Sequence, residues 1–209
     1  TIVIYTEDMK LVSKLFDKIL SSSNEISGSI YIPDEPKSKK FNQNKYQIFQ
    51  FNDLKYKGSF LALRIEGDKK SIEERKKNLF KELDLNKLKT SILDVYQSIL
   101  FWQKVNNLEL FSNTKNNLLR IVIPLSNNLK LINYLKNKYK YYIDWCGVLF
   151  WIEVADKDEE KIKEIKKFII DIEGYLTIIK RSENFSFKEN LFTINENRLF
   201  FSKKIKESF

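Results

Sequence analysis

The spacing of apolar and polar positions changes several times along the 209 residues, and each change marks an element. Ile2-Val3-Ile4-Tyr5 is a β-type run from the outset. A helical period follows over about 9–20, capped by Asp8, with Leu11, Leu15, Phe16 and Ile19 on its apolar face. Ser21–Asn24 is a turn cluster, and Glu25–Ile32 alternates as a strand that meets Pro33 and Pro36. Residues 33–46 read as a polar, lysine-rich loop and Ile48–Phe51 as a short strand. Gly58 opens a clear alternation over Ser59–Glu66, in which Leu61, Leu63 and Ile65 point one way and Ala62, Arg64 and Glu66 the other. A helix over about 70–83 turns Ile72, Leu79 and Leu83 inward. Ser91 is expected to start another helix, with Asp94 in a capping-box role and a stripe of Ile92, Val95, Ile99 and Trp102.

Beyond the polar bridge Ser112–Asn117, Leu118–Leu125 reads as a strand with Pro124 at its end. A helix over about 127–137 leads to a strand at Tyr139–Asp144, a turn at Trp145-Cys146-Gly147 and a paired strand at Val148–Val154. The helix over about 157–170 carries Asp156, Asp158, Glu159 and Glu160 at its start and Lys166-Lys167 near its end, a polarity that suits the helix dipole. Gly174 is expected to cap it, Tyr175–Ile179 to form the last strand, and about 194–209 a final helix. Residues 118–180 thus read β-α-β-β-α-β, and residues 1–83 read β-α-β-β-α followed by an extra helix. The expected fold class is α+β: two ferredoxin-like βαββαβ halves, about 1–90 and 118–180, forming an antiparallel sheet flanked by helices.

Composition narrows the chemistry. At 43% hydrophobic and 31% charged residues the chain reads as globular, not disordered. A single cysteine, Cys146, excludes an internal disulfide, and with no histidine an ordinary zinc site is excluded too. The absence of histidine also removes the side chain most often used as a general base near neutral pH. No G-x-G-x-x-G, P-loop or nucleophile elbow occurs, so a phosphate-bearing cofactor has no obvious cradle in these residues. No run approaches the roughly 18 apolar residues of a membrane span. The chain begins at Thr1 rather than Met and stops inside a helical pattern, Lys203–Phe209, which reads as a piece of a longer protein.

The net charge of +9 raises the question of nucleic acid. The positive charge is mostly lysine, with five arginines: Arg64, Arg75, Arg120, Arg181 and Arg198. Arginine is the residue preferred for bidentate phosphate and guanine contacts. Lys, Asn, Ile, Phe and Tyr are all abundant and all have A/T-rich codons, so the charge reads as solvated faces. The Glu73/Glu74 and Asp158–Glu160 groups read as solvated helix surface in the same way.

Three places carry sharper readings. Asp144-Trp145-Cys146-Gly147 with Trp151 is either a tight hairpin whose aromatics fill the sheet core or a flat wall for a planar ligand. Arg64 is either paired with a neighbouring carboxylate or an anion clamp. Lys180-Arg181, at the end of the last strand, is a surface pair or an anion contact.

Together these residues resemble a family. Ala62-Leu63-Arg64-Ile65-Glu66-Gly67, then a helix with Arg75, is similar to the cap-domain strand of the FAD-binding subunit of glycolate oxidase. In the same order, Phe101-Trp102-Gln103 resembles that family's Leu-Trp-Arg helix, and Leu119-Arg120-Ile121-Val122-Ile123-Pro124 its Leu-Trp-Arg-Leu-Ser-Val-Pro strand. Asp144-Trp145-Cys146-Gly147 with Trp151 resembles its Trp-Gly-Gly-x-x-Trp hairpin, and Gly174-Tyr175-Leu176-Thr177 its Gly-His-Ala-Thr strand. Ile205-Lys206-Glu207-Ser208-Phe209 resembles the helix that runs into its Phe-Asp-Pro tail. Cys146 stands where the family has the first hairpin glycine, and Tyr175 where it has a histidine.

The resemblance implies the C-terminal cap domain, over 1–209, of an FAD-linked oxidase of the vanillyl-alcohol-oxidase type, whose FAD is held mainly by an N-terminal domain outside these residues. It implies oxidation of glycolate to glyoxylate, a small 2-hydroxy-acid substrate, and a sister flavoprotein and an iron–sulfur subunit as partners. It implies a cytoplasmic location, at most peripheral at the inner membrane. Trp145, Gly147, Trp151, Arg64 and Lys180 are then the flavin-facing candidates, with no metal and with catalytic residues unassigned. The competing expectation is a ferredoxin-like ligand-binding, RNA-binding or interaction module without catalysis. The aromatic-rich strand that the RNA version calls for is absent from the sequence.

Overall fold

Alternation over β1 (Ile2–Tyr5) puts Ile2 and Ile4 on one side of a sheet and Val3 on the other, all three buried. A strand buried on both faces belongs to the middle of a layered fold, and the computed structural model has that form. It describes residues 1–34, 49, 58–155, 159–183, 185, 192, 193 and 196–208. After β1 come α1 (Met9–Ser21), β2 (Ile26–Ile32), β3 (Phe60–Ile65), α2 (Lys69–Glu82), β4 (Lys89–Ile92) and α3 (Val95–Asn106). The second half follows with β5 (Asn117–Val122), α4 (Asn128–Leu135), β6 (Lys140–Asp144), β7 (Leu149–Val154), α5 (Glu159–Asp171), β8 (Tyr175–Lys180) and α6 (Glu196–Glu207).

The eight strands form one antiparallel sheet in the order β4-β1-β3-β2-β6-β7-β5-β8. The fold is therefore α+β, with the halves sharing a sheet across a short seam where Ile30 meets Asp144 and Tyr31 meets Ile143. One face carries the larger core. Phe16 of α1, Leu79 of α2, Leu131 and Ile132 of α4, and Ile162, Ile165 and Ile169 of α5 pack there on Leu61, Leu119, Ile121, Phe150 and Ile152. The other face is covered over the first half by α3, through Phe101, Trp102 and Val105 on Val3, Ile30, Ile32, Phe60 and Ala62.

Local signals explain the starts of these helices. Asp8 Oδ1 accepts from the Lys10 and Leu11 backbone N–H groups at 2.9 and 3.2 Å, capping α1 as its position predicts. Asp94 caps α3 and closes a capping box with Gln97, through Gln97 N–H to Asp94 Oδ1 at 2.8 Å and Asp94 N–H to Gln97 Oε1 at 3.2 Å.

Two expectations are corrected and a third is sharpened. Ser91 does not start a helix: it is buried in β4, where it pairs with Val3, and Asp94 is itself the cap. The stripe Ile92, Val95, Ile99 and Trp102 is not the buried face of α3, since only Trp102 of the four is buried. The side of α3 turned to the sheet is that of Phe101, Trp102 and Val105, whose rings bury more area than Val95 and Ile99 would. Gly174 does help to cap α5, donating its N–H to the Ile169 carbonyl at 2.7 Å, but it is not the left-handed residue of that end. Glu173 holds that conformation (φ 59°), while Gly174 is needed for close approach, because a Cβ there would lie 2.8 Å from both Ile123 Cγ2 and Ile169 Cγ2. The loop over 33–46 and the strand at Ile48–Phe51 fall almost wholly outside the described residues. Among the described residues no helix is long and apolar enough to cross a membrane.

Candidate functional site

On the sheet face that α3 covers in the first half, no helix among the described residues covers the second half, which is left half-open. Leu119 and Ile121 of β5 point to the larger core, so Arg120 and Val122 point to this opposite face. In register with Arg120 are Trp151 of β7 on one side and Thr177 of β8 on the other. Arg120, Val122, Trp151, Tyr175 and Thr177 are all half-buried there.

The β6–β7 turn sets the wall of this area. Trp145, Cys146 and Gly147 take φ values of 49, 52 and 93°, a run of left-handed conformations that only glycine adopts freely. Asp144 Oδ1 holds the turn by accepting from the Trp145 N–H at 2.8 Å. Two non-glycine residues in this region cost on the order of 1 kcal/mol each or more. The turn they make sends the Trp145 ring outward, 57% exposed, and the Arg120 guanidinium carbon lies 5.4 Å from its centroid. That is cation–π range.

Beside it, the Tyr142 and Trp151 rings lie 6.3 Å apart as cross-strand neighbours. The Tyr142 hydroxyl and Trp151 Nε1 are both buried without a hydrogen-bond partner. Buried donors without a partner are uncommon in a folded chain.

Electrostatics distinguish the groups. Burial pushes the Asp144 carboxyl up to about 6, although the Trp145 N–H works in the opposite direction. Burial likewise raises the Cys146 thiol, so it is protonated near neutral pH and is a poor nucleophile. Among the described residues no three His, Cys, Asp or Glu side chains gather as a metal site.

The raised Asp144 pKa has a stability consequence. Between the ordinary carboxyl value and about 6 the folded chain holds a proton that the unfolded chain has lost, so stability falls as pH rises through this window. Asp144→Asn keeps an acceptor for the Trp145 N–H but cannot ionise. The variant should be more stable than the native chain at pH 8 by roughly 2 kcal/mol, and about equal to it at pH 4. Urea unfolding at both pH values checks this, and parallel pH dependence in the two proteins would refute it.

The five sequence candidates separate. Trp145 and Trp151 come together around Arg120. Gly147 lies on the helical side, where a Cβ would fall 2.8 Å from Phe16 Cδ2 and 3.1 Å from Leu125 Cδ1. Arg64 is on the right face but in the other half, with Nη2 bound to Glu66 Oε1 at 2.8 Å and its guanidinium 6.0 Å from the Trp102 ring. The Lys180 ammonium donates to the Thr114 carbonyl at the far end of β8, where it ties down the segment before β5. Arg120 and Tyr142 were not among the candidates. The signal for Arg120 was a lone charge inside an otherwise apolar strand, Leu118–Ile123.

No protein-family model matches the chain, and no curated protein matches it either.

Proposed function

We propose that this chain is the cap portion of an FAD-dependent 2-hydroxy-acid dehydrogenase of the glycolate oxidase type, and that the half-open sheet face covers the flavin and its substrate. The observation that carries the reading is Arg120, in register with Trp151 and under the ring of Trp145, on a face that no α3-like helix covers among the described residues. A flat cofactor needs flat apolar area, which Trp145 and Trp151 supply. A carboxylate substrate needs a fixed cation, which Arg120 supplies. These groups fit a flavin and a small carboxylate, and the flavin, when bound, would accept the electrons of the alcohol.

The finer fold reading belongs to the same proposal. Each half runs β-α-β-β-α-β, with strand orders β4-β1-β3-β2 and β6-β7-β5-β8, and both are ferredoxin-like. Such a pair in one continuous sheet suits a cap, with helices on the outer side and a working surface on the other. The chain has no histidine for proton abstraction, so that role falls to groups outside these residues or to a residue of another type.

The test is made on the whole protein that the gene encodes. It should be yellow, with a flavin absorption spectrum, and should reduce a dye with glycolate or another 2-hydroxy acid. Arg120→Ala should raise the KM for that acid about 10–100-fold, the loss of one charged hydrogen bond, with flavin content unchanged. A colourless native protein, or a KM indifferent to Arg120→Ala, would overturn the reading.

A further inference from the structure

The chain order β-α-β-β-α-β-α occurs twice, with α3 closing the first half and α6 the second. α3 seats Phe101, Trp102 and Val105 on the sheet. In α6 the corresponding residues are out in solvent: Phe200, Phe201 and Ile205 are 55, 62 and 58% exposed. The two helices carry the same local pattern, Phe101-Trp102-Gln103-Lys104-Val105 and Phe200-Phe201-Ser202-Lys203-Lys204-Ile205. The branched aliphatic residue follows the second ring by three positions in α3 and by four in α6, and both spacings put the pair on one helix face.

The surface that α3 covers in the first half is the one left half-open in the second, around Arg120, Val122, Trp151, Tyr175 and Thr177, with Ile179 exposed at its margin. The root of α6 is fixed beside it. Thr193 N–H donates to the Leu176 carbonyl at 2.9 Å, Leu176 N–H donates to Thr193 Oγ1 at 3.0 Å, and Phe192 bridges Thr177. α6 begins three residues after Thr193, at most about 10 Å of extended chain, so the helix reaches the face without disturbing the strand.

We infer that α6 is a lid for this face. Phe200, Phe201 and Ile205 dock over Arg120 and Trp151 as the α3 residues dock over Val3 and Ala62, and the structure holds the helix in its open position. Docking replaces the contact that Lys204 Nζ makes 4.8 Å above the Phe200 ring with Arg120 facing the same aromatic pair. The lid and any ligand of the face exclude each other. A half-open face is enough for this lid, with or without a flavin.

The experiment uses the full 209-residue chain without flavin. In a Cys146→Ser background, Ser208→Cys, in the turn just past the end of α6, takes a nitroxide label, and backbone amide signals are recorded. The amides of Arg120, Trp151 and Thr177 should lose about half or more of their intensity relative to the reduced label. The loss should disappear in a chain that also carries Phe200→Asp and Phe201→Asp. Equal broadening with and without the Asp pair would overturn the lid. So would broadening that vanishes on dilution with unlabelled chain, which would place the helix on a second copy.

Discussion

Phe101→Ala should destabilise the chain by about 3–5 kcal/mol and lower its melting temperature by roughly 10 °C. Phe101 is fully buried, with its ring centroid 5.0 Å from that of Phe49, 5.3 Å from Trp102 and 6.2 Å from Phe60. Truncation leaves a cavity at the junction of α3 and the sheet. That junction cannot collapse easily, because Trp102 is fixed by its Nε1–H donating to Thr1 Oγ1 at 2.9 Å. The companion variant is Ile99→Ala, two residues away and on the exposed side of the same helix. It should change stability by no more than about 0.5 kcal/mol. Thermal or urea unfolding of the two variants therefore asks which face of α3 meets the sheet. Equal losses, or a larger loss for Ile99→Ala, would mean that the helix is rotated from its described position.

The same helix marks the limit of what could be read in advance. α3 has a broad apolar arc, with Val95, Tyr96 and Ile99 at one end, Phe101 and Val105 at the other and Trp102 between them, and periodicity cannot say which end a sheet will cover. The choice depends on where the chain leaves the sheet, at the end of β4. Lys89-Thr90-Ser91-Ile92 has no strong strand pattern of its own and becomes a strand by pairing with β1, a contact nearly ninety residues away in sequence. Strands whose own alternation was strong, such as β3 with Leu61, Leu63 and Ile65 against Ala62 and Arg64, were legible without that help.

The candidate site divides along the same line. Trp145 and Trp151 stand out as large aromatics around a short turn. Arg120 belongs with them only through the register of β5 on β7, which no local signal carries. Gly147 was legible as a turn residue, yet its direction, into the helical layer and away from the open face, depends on Phe16 and Asn128 from elements far along the chain. Residue type marked the chemistry, whereas cross-strand register decided which residues could share it.

Gly147→Val should cost about 3–5 kcal/mol and should also disturb the open face on the other side of the sheet. Two separate penalties act. A β-branched residue at φ 93° is strained whatever the space around it. Its Cβ would also lie 2.8 Å from Phe16 Cδ2, and 3.1 Å from both Asn128 Nδ2 and Leu125 Cδ1. Phe16 is fully buried, and Asn128 is held by Ser13 Oγ donating to its Oδ1 at 3.0 Å, so neither can move aside cheaply. The turn must shift instead. Trp145 is two residues away, with its N–H on Asp144, so the shift should loosen its ring from Arg120 and change its fluorescence at denaturant concentrations where the fold persists. A double-mutant cycle with Phe16→Ala separates the penalties. If contact dominates, the Ala variant makes room, and the pair loses at least about 1 kcal/mol less than the sum of the single variants. If backbone strain dominates, the losses add, and Gly147→Ala alone should then show a large part of the cost.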